Sequence, residues 1–280
     1  MTKRIVLCAD DYGQAEAISR GILDLLDMGH LTATTCLVNE PCWQEHAGWL
    51  KPYKEKADIG LHLNFTHGEP LSKSYRKYID PKFMSLPSLI WNAMTGSNLL
   101  YPKAIKAEIE AQLDAFVNAM GFLPKYFDGH QHVHHLPVIR DAITEVYRER
   151  LKDETVYMRA VTQDIGIFSF FFINVKKLLI HFTGGADFAE HLDLFGIPHN
   201  TSFGGIYPFG NAKHYRKYFQ KFLRDSTDHG MIMCHPGRHS DDKNDPIHFS
   251  RGLEYDYLKS AEFDADCRKY DVVLSRFQLY

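Results

Sequence analysis

The chain has 280 residues, of which 45% are apolar, 13% aromatic and 24% charged. That balance excludes a disordered or low-complexity chain and leaves ample material for a buried core. A net charge of -3 with no dense Lys/Arg block excludes nucleic acid and an anionic membrane surface as partners, and points to a small or neutral substrate.

The length suits a single domain over residues 1–280, on the scale of a barrel built from strand–helix units. Five cysteines, Cys8, Cys36, Cys42, Cys234 and Cys267, form no Cys-x-x-Cys pair, and their odd count and scattered spacing read as reduced thiols of a cytoplasmic protein. The apolar run Ile5 to Ala9 is too short for a signal peptide and meets two aspartates. Ile167 to Phe182 is interrupted by Lys176 and Lys177, which leaves no uncharged span of the roughly 20 residues a membrane helix needs.

In chain order, residues 4–9 read as a buried strand, and Ile18, Ile22, Leu25 and Leu26 follow helical spacing up to Gly29. Thr32 to Val38 is a second strand by its Thr and Val content, followed by a short helix around Trp43–Leu50 that Pro52 ends. Ile59 to Phe65 is a third strand. No clean period survives between Gly68 and Tyr101, so residues 66–101 are expected to form a long loop or lid, with Tyr75, Trp91 and Tyr101 as candidate platforms for a sugar ring. Helical order returns over 102–120, where Ile105, Ile109, Leu113, Phe116, Val117 and Met120 share a face between Pro102 and Gly121.

After a histidine-rich stretch, Pro137 opens a helix through Ile139, Ile143, Val146 and Tyr147, and Val156 to Val161 is a further strand. Residues 164–224 parse less cleanly, as an aromatic run, Gly184-Gly185, a turn over Phe203–Phe209 and a polar helix near 212–224. The aromatic run Phe168–Phe172 fits a core helix better than the face of a homodimer, and oligomeric state stays open. Met231 to Cys234 is a strand that ends at His235-Pro236-Gly237, a helix spans about 254–269, and Val272–Leu274 is the last strand. About seven or eight strands alternating with helices, without an internal repeat, point to a parallel α/β architecture, with a barrel preferred over a doubly wound sheet.

The stretch Phe127-Asp128-Gly129-His130-Gln131-His132-Val133-His134-His135 places four histidines within six residues. If it leaves a strand in extended form, His130, His132 and His134 share one face and Gln131 points away. Such a cluster serves a metal or proton transfer, and the alternative is a solvated histidine-rich turn. The first strand ends in Ala9-Asp10-Asp11-Tyr12-Gly13, two carboxylates where parallel strands deliver functional groups. One suits a cation and the other a proton, unless Asp11 is only a turn residue or a helix cap.

His62 interrupts an otherwise apolar strand, where a lone histidine is more often a satisfied core residue. Asp11, His62 and His130 would nevertheless lie at one end of neighbouring strands. Two imidazoles and one carboxylate leave about three positions for water and substrate, the pattern of a catalytic metal site. His235, ahead of Pro236-Gly237, is either an acid or a turn histidine. The other loop and helix-surface histidines, His67 among them, take the bland reading. There is no Gly-x-x-x-x-Gly-Lys-Ser/Thr loop, no Gly-x-Ser-x-Gly elbow and no His-Glu-x-x-His helix, which leaves a metal-assisted reaction.

The chain resembles the YdjC-like carbohydrate deacetylases, which include chitooligosaccharide and hopanoid-biosynthesis deacetylases. The resemblance is carried, in order over nearly the whole chain, by Ala9-Asp10-Asp11-Tyr12-Gly13, Thr34-Thr35-Cys36-Leu37-Val38-Asn39, Gly60-Leu61-His62-Leu63-Asn64, Asp128-Gly129-His130-Gln131-His132-Val133-His134 and His235-Pro236-Gly237. It implies a distorted TIM-like (β/α) barrel that hydrolyses an N-acetyl group on an amino sugar, with a divalent metal, often magnesium, held by one Asp and two His. By motif, Asp11 would be the metal carboxylate, His62 and His130 the metal imidazoles, Asp10 the general base and His235 the general acid. His132 and His134 then stand behind the ligands or on the substrate side. The sequence departs from the family at Tyr12, where Phe is more usual, and at Gly129 and Gln131, where Ser and His are frequent. The change at Gln131, which points away from the His130 face in an extended segment, touches the surroundings of the metal more than the ligands.

The chemistry agrees with that implication. An amide resists water, so a site must polarise its carbonyl, activate water and protonate the leaving amine. Oxygen-rich coordination favours magnesium or manganese, and two imidazoles welcome zinc or cobalt. The expected partner is an N-acetylated sugar or oligosaccharide. Two other readings stand beside this one. A two-His-one-carboxylate iron oxygenase shares the ligand set, but nothing in the sequence places an oxoglutarate-binding Arg near the site and Asp10 would have no role. A carbohydrate-binding barrel without turnover predicts a broken ligand set, whereas Asp10, Asp11, His62, His130 and His235 are all present.

Overall fold

The computed structural model describes residues 2–161, 181–185 and 187–279. The run Ile5–Ala9 lies within β1 (Lys3–Tyr12) and is buried throughout, as an apolar run without alternation requires of a central parallel strand. It is followed by α1 (Glu16–Asp27), β2 (Ala33–Cys36), α2 (Trp43–Leu50) and β3 (Asp58–Leu63). Residues 66–101, expected as a long loop, hold two helices, α3 (Lys73–Tyr78) and α4 (Leu86–Met94), too short for a helical period to stand out. Ser72 caps α3 by accepting the Tyr75 N–H, and Tyr75 is fully buried against Phe65 and Phe83, which removes it as a sugar platform. Helix α5 (Pro102–Met120) has the expected bounds, with Pro102 in its first turn and Gly121 at φ 81° beyond its end.

Then come β4 (Tyr126–Gly129), α6 (Pro137–Arg150), β5 (Tyr157–Met158), α7 (Phe188–Leu194), β6 (Phe203–Gly204), α8 (Tyr215–Asp225), β7 (Gly230–Cys234), α9 (His248–Leu258), α10 (Ala261–Lys269) and β8 (Val272–Leu274). The one helix expected over 254–269 is therefore two, parted at Lys259-Ser260. Phe203–Gly204, expected in a turn, pairs with β7 as a short strand. Phe168–Phe172 lies outside the described residues. Among the described residues no helix is long and apolar enough to cross a membrane.

The strands pair in parallel in the order β5-β4-β3-β2-β1-β7-β6. That order is sequential around a barrel, and the chain just ahead of β6 meets β5. Met158 forms a parallel bridge with His199, and the Asn200 side chain accepts the Ala160 N–H and donates to the carbonyls of Ala160 and Ser202. Strand β8 pairs with Lys3–Ile5 of β1, on the side where β2 takes the other end. The architecture is a distorted TIM-like barrel.

Alternate side chains of the strands face its interior. Val6, Cys8, Ala33, Tyr126, Tyr157 and Met231 form a core of their own there, apart from the larger core between strands and helices. Gly60 leaves room for it, since a Cβ at that position would stand 2.5 Å from the Tyr126 ring. Phe277 stacks on Tyr157 at 4.0 Å and closes the N-terminal end. Toward the C-terminal ends of the strands the interior turns polar, with Asp10, Thr35, His62, Asp128 and Arg159 all buried.

Candidate active site

Adjacent strand residues face opposite ways, so Asp10 and Asp11 share a site only through a distortion. The β1–β2 register shifts between Ala9 and Tyr12, and Asp11 adopts a left-handed φ of 69°. This bulge turns Asp11 onto the rim beside Asp10. Asp11 Oδ1 stands 3.0 Å from His130 Nδ1 and 3.4 Å from His62 Nε2. Its Oδ2 accepts from Arg251 at 2.8 Å, and Arg251 in turn donates to Asp245 at 2.6 Å and to Gln14 at 3.1 Å. Burial opposes a charge on Asp11, but Arg251 and His130 outweigh it and hold the carboxyl well below the usual range.

His62 points inward from β3 and its Nδ1 is fixed by Asp128 Oδ1 at 2.7 Å, which leaves Nε2 directed at Asp11. Thr35 donates to the same Asp128 oxygen at 2.6 Å. Burial works against protonation of His62, yet Asp128 and Asp11 raise its pKa to about 10. The ligand atoms of Asp11, His62 and His130 lie within 4.8 Å of one another, close enough to hold one metal ion.

A second cluster, Cys8, Asp10 and Asp128, is equally close. Its centre is already filled by a cation, the fully buried guanidinium of Arg159. Arg159 Nη1 donates to Asp10 Oδ2 at 2.8 Å, and Nη2 lies 2.6 Å from Asp10 Oδ1, 2.7 Å from Asp128 Oδ2 and 3.0 Å from Cys8 Sγ. Asp10 is thus oriented through both oxygens, and His235 Nε2 stands 3.9 Å from its Oδ2. His235 follows β7 with its ring edge-on to Phe209 at 5.3 Å.

After β4 the chain does not continue in extended form. Gln131 and His132 take left-handed φ values of 55° and 64°, and residues 130–135 coil into a short helical turn, so the expected period-two alternation fails. His130 still faces Asp11, but Gln131, expected to point away, lines the same cavity as His130 and His132. His132 is buried with its ring 5.7 Å from that of Phe203. His134 turns into the fold, where it packs on Phe188 and its Nε2 meets the Arg159 carbonyl at 2.9 Å. Burial, aided by His135, lowers its pKa to about 3, so His134 is a neutral N–H donor to that carbonyl. Gly129 leaves space for this ring, since a Cβ there would lie 2.9 Å from His134 Nδ1.

Asp10, Asp11, His62, His130, His132 and His235 thus line one cavity of about 190 Å³, and His134 is absent from its wall. A neighbouring cavity of about 240 Å³ shares Gln14, His67, Asn244, Asp245 and Arg251 with it. Neither Trp91 nor Tyr101 lines either cavity. Arginines do stand at the site, contrary to expectation, but Arg159 and Arg251 are engaged by Asp10 and Asp128, and by Asp11 and Asp245.

The sequence profile of the YdjC-like proteins matches residues 4–269. The chain belongs to the YdjC-like protein family. It is 30% identical to a carbohydrate deacetylase of Danio rerio over 145 residues, 51% of this chain and 46% of that protein. It is 25% identical to a carbohydrate deacetylase of Mus musculus over 248 residues, 84% of this chain and 78% of that one. A chitooligosaccharide deacetylase of Yersinia enterocolitica is 30% identical over 151 residues, 54% of this chain and 58% of the relative. The chain thus spans about half the length of two of these relatives. A crystal structure from Enterococcus faecalis, provisionally named a cellobiose-phosphate cleavage protein, shares the fold at TM-score 0.75 and 17% identity, covering 99% of this chain and 98% of that one.

Proposed function

We propose that the protein is a divalent-metal-dependent carbohydrate deacetylase that hydrolyses the N-acetyl group of an amino sugar or oligosaccharide and releases acetate. The observation that carries this reading is the convergence of three ligand atoms from Asp11, His62 and His130 beside a second carboxylate and a histidine that hold no position in the triad. The names of its relatives point the same way. The donor set fits a dication: His62 Nε2 is aimed by the bond from its other nitrogen to Asp128, and only one oxygen of Asp11 is taken by Arg251. Magnesium is the favoured ion, with zinc, manganese or cobalt also compatible with two imidazoles and one carboxylate.

Asp11, His62 and His130 would hold that ion. When bound it supplies a positive charge that polarises the amide carbonyl and makes an attacking water more acidic. Asp10, fixed by Arg159, takes the proton of that water. His235 Nε2, 3.9 Å from Asp10 Oδ2, gives a proton to the leaving amine as the carbon–nitrogen bond breaks, so acetate and a free amino sugar depart. His132 and Gln131, on the wall of the same cavity, would contact the substrate. Release of acetate from N,N'-diacetylchitobiose, lost on chelation and in Asp10→Asn, tests this reading. Metal-loaded protein inactive across a broad panel of acetylated sugars sinks it.

A further inference from the structure

Glu254 was not distinguished from the rest of its helix by sequence, and the proposed reaction gives it no part. It sits on the inner face of α9 and is completely buried. Its Oε2 accepts the backbone N–H of His235 at 2.6 Å and its Oε1 accepts the Tyr207 hydroxyl at 2.6 Å. The same turn is gripped again two residues later, where the Gly237 N–H donates to the Arg251 carbonyl at 3.2 Å, also on α9. From the other side α1 closes on it, with the Ala17 carbonyl accepting the Arg238 N–H at 2.9 Å and Gly21 packed against Gly237 too tightly for a Cβ.

We propose that Glu254 is the positioning residue of His235: its carboxylate clamps the turn that carries the imidazole and so sets the approach of His235 Nε2 to Asp10. A buried carboxylate is a costly choice for this task where a neutral acceptor would do. Burial pushes Glu254 up to about 7, against the bonds from Tyr207 and His235. The other groups that face it are Arg251, the Tyr215 hydroxyl and the Cys234 thiol. Two short bonds to one side chain, from the His235 N–H and the Tyr207 hydroxyl, fix the turn in one position and so hold the acid in register.

The proposal rests on the reading of His235 as the acid in amide hydrolysis, so its test has one arm that depends on the reaction and one that does not. In the metal-loaded full chain, Glu254→Ala should lower kcat on N,N'-diacetylchitobiose about 100-fold, the scale of a misplaced catalytic group, with KM within about twofold. Glu254→Gln keeps an amide oxygen for the His235 N–H and should recover most of that loss. Wild-type kcat in the Ala variant, a change in KM alone, or equal losses in Ala and Gln variants would each overturn the proposal. Should the Ala variant not fold, Tyr207→Phe replaces it, with a several-fold loss of kcat expected and wild-type kcat as the contrary result.

The second arm follows the His235 ring by nuclear magnetic resonance in histidine-labelled protein. Its resonances and titration midpoint should move in Glu254→Gln and further in the Ala variant or Tyr207→Phe. An unmoved ring removes the clamp whatever the protein hydrolyses. A moved ring in a protein that releases no acetate supports the clamp and overturns the proposed reaction instead.

Discussion

Arg159 is the residue on which the polar centre of the barrel depends. It is wholly buried, and its guanidinium is the shared counter-ion of Asp10 and Asp128. Removing one partner of such a cluster leaves uncompensated charge in a medium that solvates it poorly. Arg159→Met should therefore destabilise the fold by about 3–5 kcal/mol in urea unfolding and abolish acetate release. Arg159→Lys restores a charge but not the planar fork that meets both oxygens of Asp10, so it should regain stability more fully than activity. A Met variant as stable as wild type would show that the two carboxylates do not need this cation.

Glu254 gives the opposite case, a buried acid that weakens the fold when ionised. Burial lifts its folded pKa from 4.5 to about 7, above the unfolded value. Folding therefore takes up a proton between those values; the stabilisation is fully present below about 4.5 and is lost as pH rises through about 7. Relative to Glu254→Gln, wild type should lose about 2–3 kcal/mol between pH 5 and pH 8, read from paired denaturation curves. A constant difference across that range contradicts a raised carboxyl.

Asp10, Asp11, His62 and His235 stand out in the sequence as polar residues in or just after apolar strands and His130 by its histidine cluster, and it was the resemblance to the YdjC-like deacetylases that singled out these five, which the fold brings to one cavity. Arg159, the one charge in the apolar run Val156–Val161, carries the same mark as His62 and was passed over, whereas Arg251 lies on a helix and carries none. Of their carboxylate partners, Asp10 is 149 positions from Arg159 and Asp11 is 240 from Arg251, separations that only the fold makes short.

At the scale of elements, α5 shows why a pattern of apolar residues tells only part of what a helix does. Its apolar face and its terminal Pro102 and Gly121 define it in sequence, yet Glu108 and Gln112, also fully buried, anchor the chain after β3. Gln112 accepts the Asn64 N–H at 3.0 Å and donates to the Asn64 carbonyl at 2.7 Å, while Glu108 accepts the N–H groups of Leu71 and Ser72. Asn64 holds the N–H groups of Thr66 and His67, and the His67 ring meets Glu40 at 2.7 Å on the wall shared by the two cavities. Gln112→Ala should cost about 2–3 kcal/mol by stranding both backbone groups of Asn64 and should speed amide exchange across residues 64–72. Unchanged exchange there would mean that the loop is held from elsewhere. The turn over 130–135 escaped the sequence for a related reason: two successive left-handed residues, neither of them glycine, leave no trace in a hydrophobic period.

For the whole molecule the decisive feature is the seam between β5 and β6. Both strands are only two residues long, so backbone pairing alone gives little to close the barrel. Asn200 makes good the deficit with three hydrogen bonds that join Ala160 to the approach of β6, in a side chain that is itself buried. The seam lies directly beyond Arg159, so its opening would release the guanidinium that orders Asp10. Asn200→Ala strands the Ala160 N–H and carbonyl together and should cost about 2–4 kcal/mol. Amide exchange at Ala160 should rise first, ahead of global unfolding, while residues of β1 and β2 keep wild-type protection. If Ala160 exchanges no faster in the variant, the seam is held by other contacts, the Met158–His199 bridge among them, and the asparagine is dispensable.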